Sequence, residues 1–325
     1  MRKISALIVA AAVVASLAAC TSQDVTAASC TTGQNSGDSS SLVTATGTLG
    51  AEPVVDFPTP LVTDGIEVST LETGDGRVLT DGNLADFQVT VLNAKTGAAV
   101  VSSGYDDAAP LRRQVGNDTE FGPILDCVAV GSRIAATTTV EQLFGAADLQ
   151  SQYDLGPKDS IVLIVDVADG FADKATGTDQ LPVAGMPSVV TAPDGTPGVT
   201  IVDETAPEVL TVATTKKGDG AVVKANDLAV LHFTAIDYDT QTKIQSTWDD
   251  GAIPPTVQVK DYDATDGTGL NPGVAKALVG KTVGSQIVVV VPADAGYPAG
   301  ASPEGFTEGS TVIYVVDILK SASAK

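Results

Sequence analysis

The sequence predicts an α+β protein that is predominantly β and contains two copies of one domain. Apolar residues occur in short β-branched runs bounded by Gly, Asp, Asn and Pro, at 161–167, 229–236, 287–291 and 311–319. Such runs are typical of strands. The chain has 325 residues, which exceeds the usual size of one domain. Its two halves also share motifs in the same order, so we predict domains over 57–170 and 207–325.

The shared motifs define the repeat. Gly74-Asp75-Gly76 matches Gly218-Asp219-Gly220 at a spacing of 144 residues. Val130-Gly131-Ser132 matches Val283-Gly284-Ser285 at a spacing of 153, and the strand at 160–167 matches 311–318 at 151. Because the order is kept and the spacing drifts only slightly, the differences fall in loops. We interpret the halves as duplicates.

The N-terminus has the features of an export signal. Arg2 and Lys3 precede an uncharged run from Ile4 to Cys20 that is too short to span a bilayer as a mature helix. Leu17-Ala18-Ala19-Cys20 resembles the bacterial lipobox, which implies a signal peptide over 1–19 and a diacylglycerol on Cys20. We expect a lipoprotein on the extracytoplasmic face of the cell membrane. The alternative is ordinary secretion with Cys20 as an incidental thiol.

Two low-complexity stretches separate the predicted units. Residues 20–56 are largely Ser/Thr/Gly-rich and predict a flexible tether after the lipidated Cys20. Residues 171–206 predict a Pro/Gly-rich linker. Within that linker, the apolar patches at 188–190 and 199–202 indicate an edge strand.

Charge and cysteine content limit the partners. The net charge of −22 repels nucleic acid and anionic lipid head groups, so neither is an expected partner, and the lipid anchor is the only expected membrane contact. Export makes a disulfide between Cys30 and Cys127 possible. Two free thiols fit the sequence equally well, because nothing in it fixes their separation.

The C-terminal copy combines a helix candidate with an ordered set of motifs. Residues 272–278 place a proline in the first turn and Val274, Ala277 and Leu278 on one face. The surrounding motifs, in chain order, are Gly218-Asp219-Gly220, Leu231-His232-Phe233-Thr234, Gln245-Ser246-Thr247-Trp248-Asp249, Asn271-Pro272-Gly273, Val283-Gly284-Ser285, Gly296-Tyr297 and the strand 312–319. Across 207–325 this order resembles the FKBP family of peptidyl-prolyl cis-trans isomerases, here in a bacterial, and by expectation actinobacterial, lipoprotein with two such domains.

The resemblance implies that each copy is a twisted antiparallel sheet wrapped around one short helix. The family's apolar cradle and its neighbouring positions fall on Phe233, Ile244, Gln245, Val257, Leu270, Asn271, Val274, Tyr297 and Tyr314. Rotation about an X–Pro bond must overcome roughly 20 kcal/mol, because twisting the amide destroys its resonance. A cradle that favours the twisted amide needs no nucleophile, metal or cofactor.

The implied activity is that of a membrane-anchored foldase, or rotamase, acting on proline-containing exported polypeptides, with FKBP-type macrolides as inhibitors. The cradle departs from the family pattern: Phe233 replaces the usual Tyr, Ile244 a Phe and Val274 a Trp, while Gln245 replaces a carboxylate. At about 25 cal/mol per Å², the lost apolar area weakens the grip on a proline ring by roughly several kcal/mol. We expect moderate activity, with a non-catalytic binding protein or holdase as the alternative.

The N-terminal copy departs further. Val89 matches Phe233, the stretch 142–145 matches the segment around Tyr297, and Asp126-Cys127 occupies the helix exit. We expect a structural or protein-binding domain without isomerase activity.

A sandwich-type surface adhesin is a further alternative for the whole protein. It would also fit the Thr/Val-rich composition, but it would lack the helix.

Two further candidates have simpler interpretations. His232 is the only histidine and alternates with Phe233 along a strand, so we expect it on the sheet surface, on the side opposite the cradle. Asp261-Tyr262-Asp263 with Asp266 resembles an acidic calcium loop but lacks the EF-hand spacing. An acidic, solvated turn is the better interpretation.

Overall fold

The computed structural model describes residues 30–31, 33–106, 109–116, 119–145, 150–201, 205–251 and 253–324. The predicted signal peptide over 1–19 and the predicted lipidation site, Cys20, lie outside these residues. Within the described ranges, no helix is both long enough and apolar enough to cross a membrane.

The first half contains a small hairpin followed by a six-stranded antiparallel sheet. Its elements are a 3-10 turn (Ser40–Leu42), β1 (Thr44–Thr46), β2 (Val54–Asp56), β3 (Glu67–Glu72), β4 (Asn83–Asn93), β5 (Ala99–Ser102), β6 (Leu111–Gln114), α1 (Gly122–Leu125), β7 (Arg133–Thr139), α2 (Val140–Phe144), α3 (Gln150–Tyr153) and β8 (Ser160–Ala172). The sheet order is β3-β7-β8-β4-β5, and β6 also pairs with β4.

The second half repeats this plan in a seven-stranded sheet. Its elements are β9 (Thr178–Asp179), β10 (Ser188–Thr191), β11 (Pro197–Thr200), β12 (Thr211–Lys217), β13 (Leu228–Asp237), β14 (Lys243–Ser246), a 3-10 turn (Asp249–Gly251), β15 (Thr256–Gln258), α4 (Pro272–Leu278), β16 (Gln286–Val291), a 3-10 turn (Ala293–Ala295) and β17 (Val312–Ala322). The order is β14-β13-β17-β16-β12-β9, with β15 beside β13.

All six strands of the first sheet have counterparts in the second sheet, in the same order and register. β3, β7, β8, β4 and β5 correspond in order to β12, β16, β17, β13 and β14, and β6 corresponds to β15. Even the irregularity in the central pair recurs, since the register shifts after Asp86 in β4 and after Val230 in β13, 144 residues later. The predicted strands, the helix at 272–278 and the predominantly β fold class are confirmed.

The repeated glycine motifs contact each other in space, which explains why both recur. The amide of Gly74 donates to Ser132 Oγ at 2.9 Å, and the amide of Gly218 donates to Ser285 Oγ at 2.9 Å. A Cβ on Gly218 would collide with the carbonyl oxygen of Val283, and one on Gly74 with that of Val130. The Gly-Asp-Gly and Val-Gly-Ser motifs are therefore the two sides of one close backbone contact.

The predicted tether and linker are wrong in part, because each contains an ordered hairpin. β1 pairs with β2 and β10 with β11; Thr44 lies opposite Asp56, and Ser188 lies opposite Thr200. These pairs are 144 residues apart, so the hairpin belongs to the repeat. The apolar patches within 171–206 do form strands, but they pair with each other as β10 and β11 in a separate two-stranded sheet and not at the edge of the main sheet.

The hairpins cover the sheet faces that lie opposite the helices. Val43 in the first copy and Met186 in the second are buried against these outer faces. The central strands are buried on both faces, so their outer apolar side chains need a cover. A few apolar residues of each hairpin supply this cover. In the sequence they stand in a polar stretch, and so short an apolar pattern cannot be distinguished from that of a loop.

A polar pair at equivalent positions also ties each preceding segment to its sheet. In the first copy, Arg133 forms a buried ion pair with Asp166 at 2.6 Å and donates to the carbonyls of Gly47, Thr48 and Ala51. In the second copy, Gln286 donates to Asp317 at 2.8 Å. Asp317 also accepts from the amide of Ala175 at 2.8 Å.

Cys30 and Cys127 form a disulfide, with 5.5 Å between their Cα atoms. This resolves the two alternatives that the sequence left open. The bond joins the segment before the first hairpin to the exit of α1. The second copy has no cysteine in the sequence, so this link is specific to the first copy.

Candidate functional site

An apolar cradle lies between α4 and the concave face of the second sheet. Asn271 caps α4, because its Oδ1 accepts from the amide of Gly273 at 3.0 Å. Gly273 lets the helix approach β16, since a Cβ there would lie 2.6 Å from Val291 Cγ1. Val274 and Leu278 are buried beneath the sheet. The helix therefore forms the floor, and the strands form the walls.

The cradle encloses a cavity of about 310 Å³. Its lining residues are Leu231, Phe233, Gln245, Val257, Tyr262, Gly267, Gly269, Leu270, Asn271, Val274, Tyr297, Pro303, Phe306, Tyr314 and Val316. Eight of the nine predicted site residues are among them. The exception is Ile244, which packs at the edge of the same core with Gly305 nearby.

Aromatic rings form a continuous wall. The Tyr297 ring meets Tyr262 edge-on at 5.3 Å and Phe306 at 5.4 Å between ring centroids. Phe306 stacks on Tyr314 at 6.3 Å, and Tyr314 lies 6.5 Å from Phe233. Such contacts fix ring positions and stabilise each pair by about 0.5–1.5 kcal/mol beyond area burial.

The hydroxyl of Tyr314 is buried in this cavity beside the side chains of Tyr297 and Asn271, but it has no hydrogen bond of good geometry in the described structure. Burial raises the pKa of Tyr314 well above its ordinary value, and burial also raises that of Tyr297. Both phenols are therefore protonated at neutral pH. A buried hydroxyl that lacks a well-formed hydrogen bond carries a desolvation penalty that a ligand carbonyl would relieve.

The sequence did not identify Phe306 and Tyr262 as site residues. Phe306 lies in a Gly/Pro-rich loop without periodicity, and Tyr262 lies between two aspartates. The available signal was an isolated aromatic residue in each otherwise polar loop. Tertiary folding brings both loops over the cradle, which a strand pattern cannot show.

The acidic loop beside the cradle has local partners. Asp263 accepts from the amide of Thr265 at 2.8 Å, and Asp266 accepts from the amide and hydroxyl of Thr268. Asp261, Asp263 and Asp266 are exposed, which fits a solvated turn. The ring of Tyr262 is the exception, because it turns inward onto Tyr297.

His232 does not line the cradle, but its expected place on an open sheet surface is wrong. Its ring stacks on Trp248 at 3.9 Å and its Nδ1 shares a hydrogen bond with Thr247 Oγ1 at 2.8 Å. The side chain is buried, and this burial lowers its pKa to about 4. Trp248 folds back over the outer face, which strand alternation alone did not predict.

In the first copy, the position equivalent to the cradle is filled. Phe121 precedes α1 and packs its ring against Phe87 at 5.3 Å and Phe144 at 6.3 Å between centroids. Phe87 corresponds to Leu231, which lines the cavity in the second copy. All three phenylalanines belong to the main core cluster or pack directly against it. Within the part of the chain that the structure describes, these three rings thus occupy the place that the cavity has in the second copy.

Among the described residues, the cradle contains no group of side chains that could together bind a metal ion. The one group of potential metal ligands in the described ranges consists of Cys30, Asp126 and Cys127 in the first copy, and its two sulfur atoms form the disulfide. The cradle itself offers apolar walls, phenolic hydroxyls and one amide. This arrangement can bind an apolar ring and hydrogen-bond a carbonyl, without moving a proton.

Comparison with known proteins places the chain near one group. No protein-family model matches it. A protein of Corynebacterium glutamicum named "Probable FK506-binding protein" is 25% identical over 119 residues, which cover 36% of this chain and 90% of that protein. Part of this chain thus corresponds to almost all of that protein.

The matches among solved structures are more distant in sequence. The three FKBP domains of wheat FKBP73 match 80% of this chain and 96% of their own at 14% identity, with a TM-score of 0.33. FkpA from Escherichia coli matches 44% of this chain and 54% of its own at 20% identity, with a TM-score of 0.31. The predicted resemblance to FKBP-type proteins is confirmed by the similarity to the Corynebacterium protein.

Proposed function

We propose that the second copy is a peptidyl-prolyl cis-trans isomerase that acts on X–Pro bonds of exported polypeptides. The observation that carries this proposal is the open aromatic cradle of about 310 Å³, built on the residues predicted from the family pattern. The name of the Corynebacterium relative, an FK506-binding protein, supports the same class.

The cradle can supply both requirements of the reaction. The proline ring packs against Phe233, Val274 and Phe306, which removes the X–Pro bond from water. The hydroxyl of Tyr297 donates to a substrate carbonyl, and that of Tyr314 lies deeper on the same wall. A site that binds the twisted amide more tightly than the planar one lowers the rotation barrier of roughly 20 kcal/mol.

The direct test is a protease-coupled prolyl peptide assay with the full mature chain in detergent. We expect cis-to-trans isomerisation above the buffer rate at micromolar protein. Tyr297→Leu should reduce the added rate about tenfold or more, because it removes a hydroxyl and an aromatic wall. Phe144→Leu, in the equivalent segment of the first copy, is the matched control. A wild-type rate equal to buffer excludes the enzymatic proposal.

A non-catalytic holdase is the second candidate, favoured by the aliphatic floor at Val274 and by Gln245 in place of a carboxylate. Its signature is suppressed client aggregation without faster proline-limited refolding. We also propose that an FKBP-type macrolide occupies the cradle. Such a ligand should inhibit an isomerase, whereas for a holdase it should displace a bound proline peptide.

We further propose attachment to the extracytoplasmic face of the membrane through Cys20. The motivating pattern is Leu17-Ala18-Ala19-Cys20, and the Cys30–Cys127 disulfide suits an oxidising compartment. Growth with a clickable palmitate analogue should label the wild type and leave Cys20→Ala unlabelled. Equal label in the two proteins contradicts the proposal.

A further inference from the structure

The two copies share a small buried interface near one end of each sheet. Leu84 and Phe171 of the first copy pack with Val230 and Leu319 of the second in one buried cluster. At its edge, Lys320 of the second copy lies 2.6 Å from a carboxylate oxygen of Asp169 and 2.8 Å from one of Asp86. The contact thus combines an apolar centre with ion pairs.

Arg112 crosses this interface from β6. Its Nε and Nη2 donate to the two carboxylate oxygens of Asp86, at 2.7 and 3.0 Å, where both side chains are largely buried. Its Nη1 donates to the carbonyl of Pro254 and to Thr256 Oγ1, each at 3.1 Å. The bidentate pair orients the guanidinium, so its free edge points at the second copy.

The contacts join equivalent positions of the repeat. Arg112 and Thr256 are 144 residues apart, which is the spacing of β6 and β15. Asp169 and Lys320 are 151 residues apart, which is the spacing of β8 and β17. Contacts between equivalent positions are what a two-fold arrangement produces. The interface therefore follows from the duplication and is specific in register.

The segment that Arg112 holds is also a wall of the cradle. Pro254 and Thr256 lead into β15, and Val257 in that strand lines the cavity. The strand has three residues and pairs with β13 through Leu228–Gln258, Ala229–Val257 and Val230–Thr256. Backbone hydrogen bonds at Pro255 and Val259 flank this ladder. So short a strand is weakly held by its own ladder. The Arg112 guanidinium, which is held by Asp86, restrains β15 at its N-terminal end.

We infer that Arg112 of the first copy is a positioning residue for the cradle of the second copy. It acts through Pro254 and Thr256 to hold β15, and hence Val257, at the distance that closes the cavity wall. The first copy, in which phenylalanine rings occupy the position of the cradle, thus stabilises the cradle of the second copy. The inference builds on the proposed function.

The test compares Arg112→Met with Arg113→Met in the full mature chain. Arg113 is the next residue of the same strand, and its guanidinium pairs with Glu120 at 3.4 Å and donates to the carbonyl of Arg112, both within the first copy. We expect Arg112→Met to raise KM for a prolyl peptide about fivefold to tenfold with a smaller change in kcat. Faster amide exchange in residues 256–259 should accompany it, and Arg113→Met should behave as wild type.

Thr256→Val provides a second variant that leaves the first copy intact. It should produce part of the Arg112→Met effect, and the double variant should be no worse than Arg112→Met alone. Wild-type exchange in 256–259 together with an unchanged KM in Arg112→Met overturns the inference. Should the wild type lack isomerase activity, the proposed function fails. The exchange measurement, with the affinity for a proline peptide, still decides the role of Arg112.

Discussion

The concave faces of the two copies differ although their sheets are equivalent. In the described part of the first copy, Phe121 packs between Phe87 and Phe144, at the place that the cavity has in the second copy. In the second copy, the corresponding region carries Asn271 ahead of the helix, and Tyr297 and Phe306 stand around an open cavity. The helices also differ, with four residues in α1 and seven in α4. The two copies thus share strand order and register, and the positions of a few aromatic side chains determine whether a cavity remains between helix and sheet.

The outer faces differ in charge at one equivalent pair. The first copy uses Arg133 with Asp166, and the second uses Gln286 with Asp317. Both pairs anchor the segment that precedes the sheet. The negative charge of Asp166 therefore stabilises the fold, because the buried Arg133 guanidinium lies beside it. The negative charge of Asp317 destabilises the fold, because its neighbour Gln286 is uncharged.

The largest effect is expected from Asp166→Asn. It leaves the Arg133 guanidinium buried without its carboxylate, which should lower the free energy of unfolding by about 3–5 kcal/mol. Denaturant unfolding followed by far-UV circular dichroism measures this. Arg133→Gln combined with Asp166→Asn removes both charges of the pair and should recover part of the loss. No recovery would mean that the ion pair is not the cause.

Reduction of Cys30–Cys127 should have the next largest effect, confined to the first copy. The disulfide closes a loop with a sequence separation of 97, so breaking it should lower that copy's stability by about 2–4 kcal/mol. Trp248 is the only tryptophan and lies in the second copy, so its fluorescence reports that copy alone. A reductant should shift the circular dichroism transition and leave the tryptophan transition in place. Equal shifts would show that the copies unfold as one unit.

Asp317→Asn should be stabilising, in contrast to Asp166→Asn. Burial raises the pKa of Asp317 to about 6, above roughly 3.9 in an unfolded chain. The native state therefore binds this proton more tightly, and the Asp317 contribution to stability falls as pH rises from about 4 to 6. The substitution should add about 2 kcal/mol at pH 7 and remove that slope. Tryptophan-monitored unfolding across pH 4–8 measures both, and a loss of stability at pH 7 contradicts the prediction.

The smallest effect is expected from Tyr314→Phe. Removing a buried hydroxyl that lacks a well-formed hydrogen bond should raise the free energy of unfolding by about 1 kcal/mol. If that hydroxyl meets a substrate carbonyl, the same variant should weaken binding of a proline peptide about threefold to fivefold. Val91→Ala changes the filled interior of the first copy and serves as a control for peptide binding. A more stable variant with unchanged affinity would assign the hydroxyl no contact with substrate.

The sequence by itself determined much of this protein. Alternating and β-branched runs located the strands, Pro272 and the spacing of Val274 and Leu278 located α4, and the motif spacing of 144 residues revealed the duplication. Eight cradle positions followed from the resemblance. These features depend on local patterns that a linear reading captures.

Tertiary structure alone decided the rest. The hairpins within 20–56 and 171–206 are ordered because they cover the apolar outer faces of the sheets. Their own few apolar residues are too sparse to predict this from the sequence. Phe306 and Tyr262 entered the cradle because their loops fold over it, and Trp248 buried His232 for the same reason. Arg112 reached β15 through packing of one copy on the other. Each of these contacts joins residues far apart in the chain, and no local periodicity encodes such a contact.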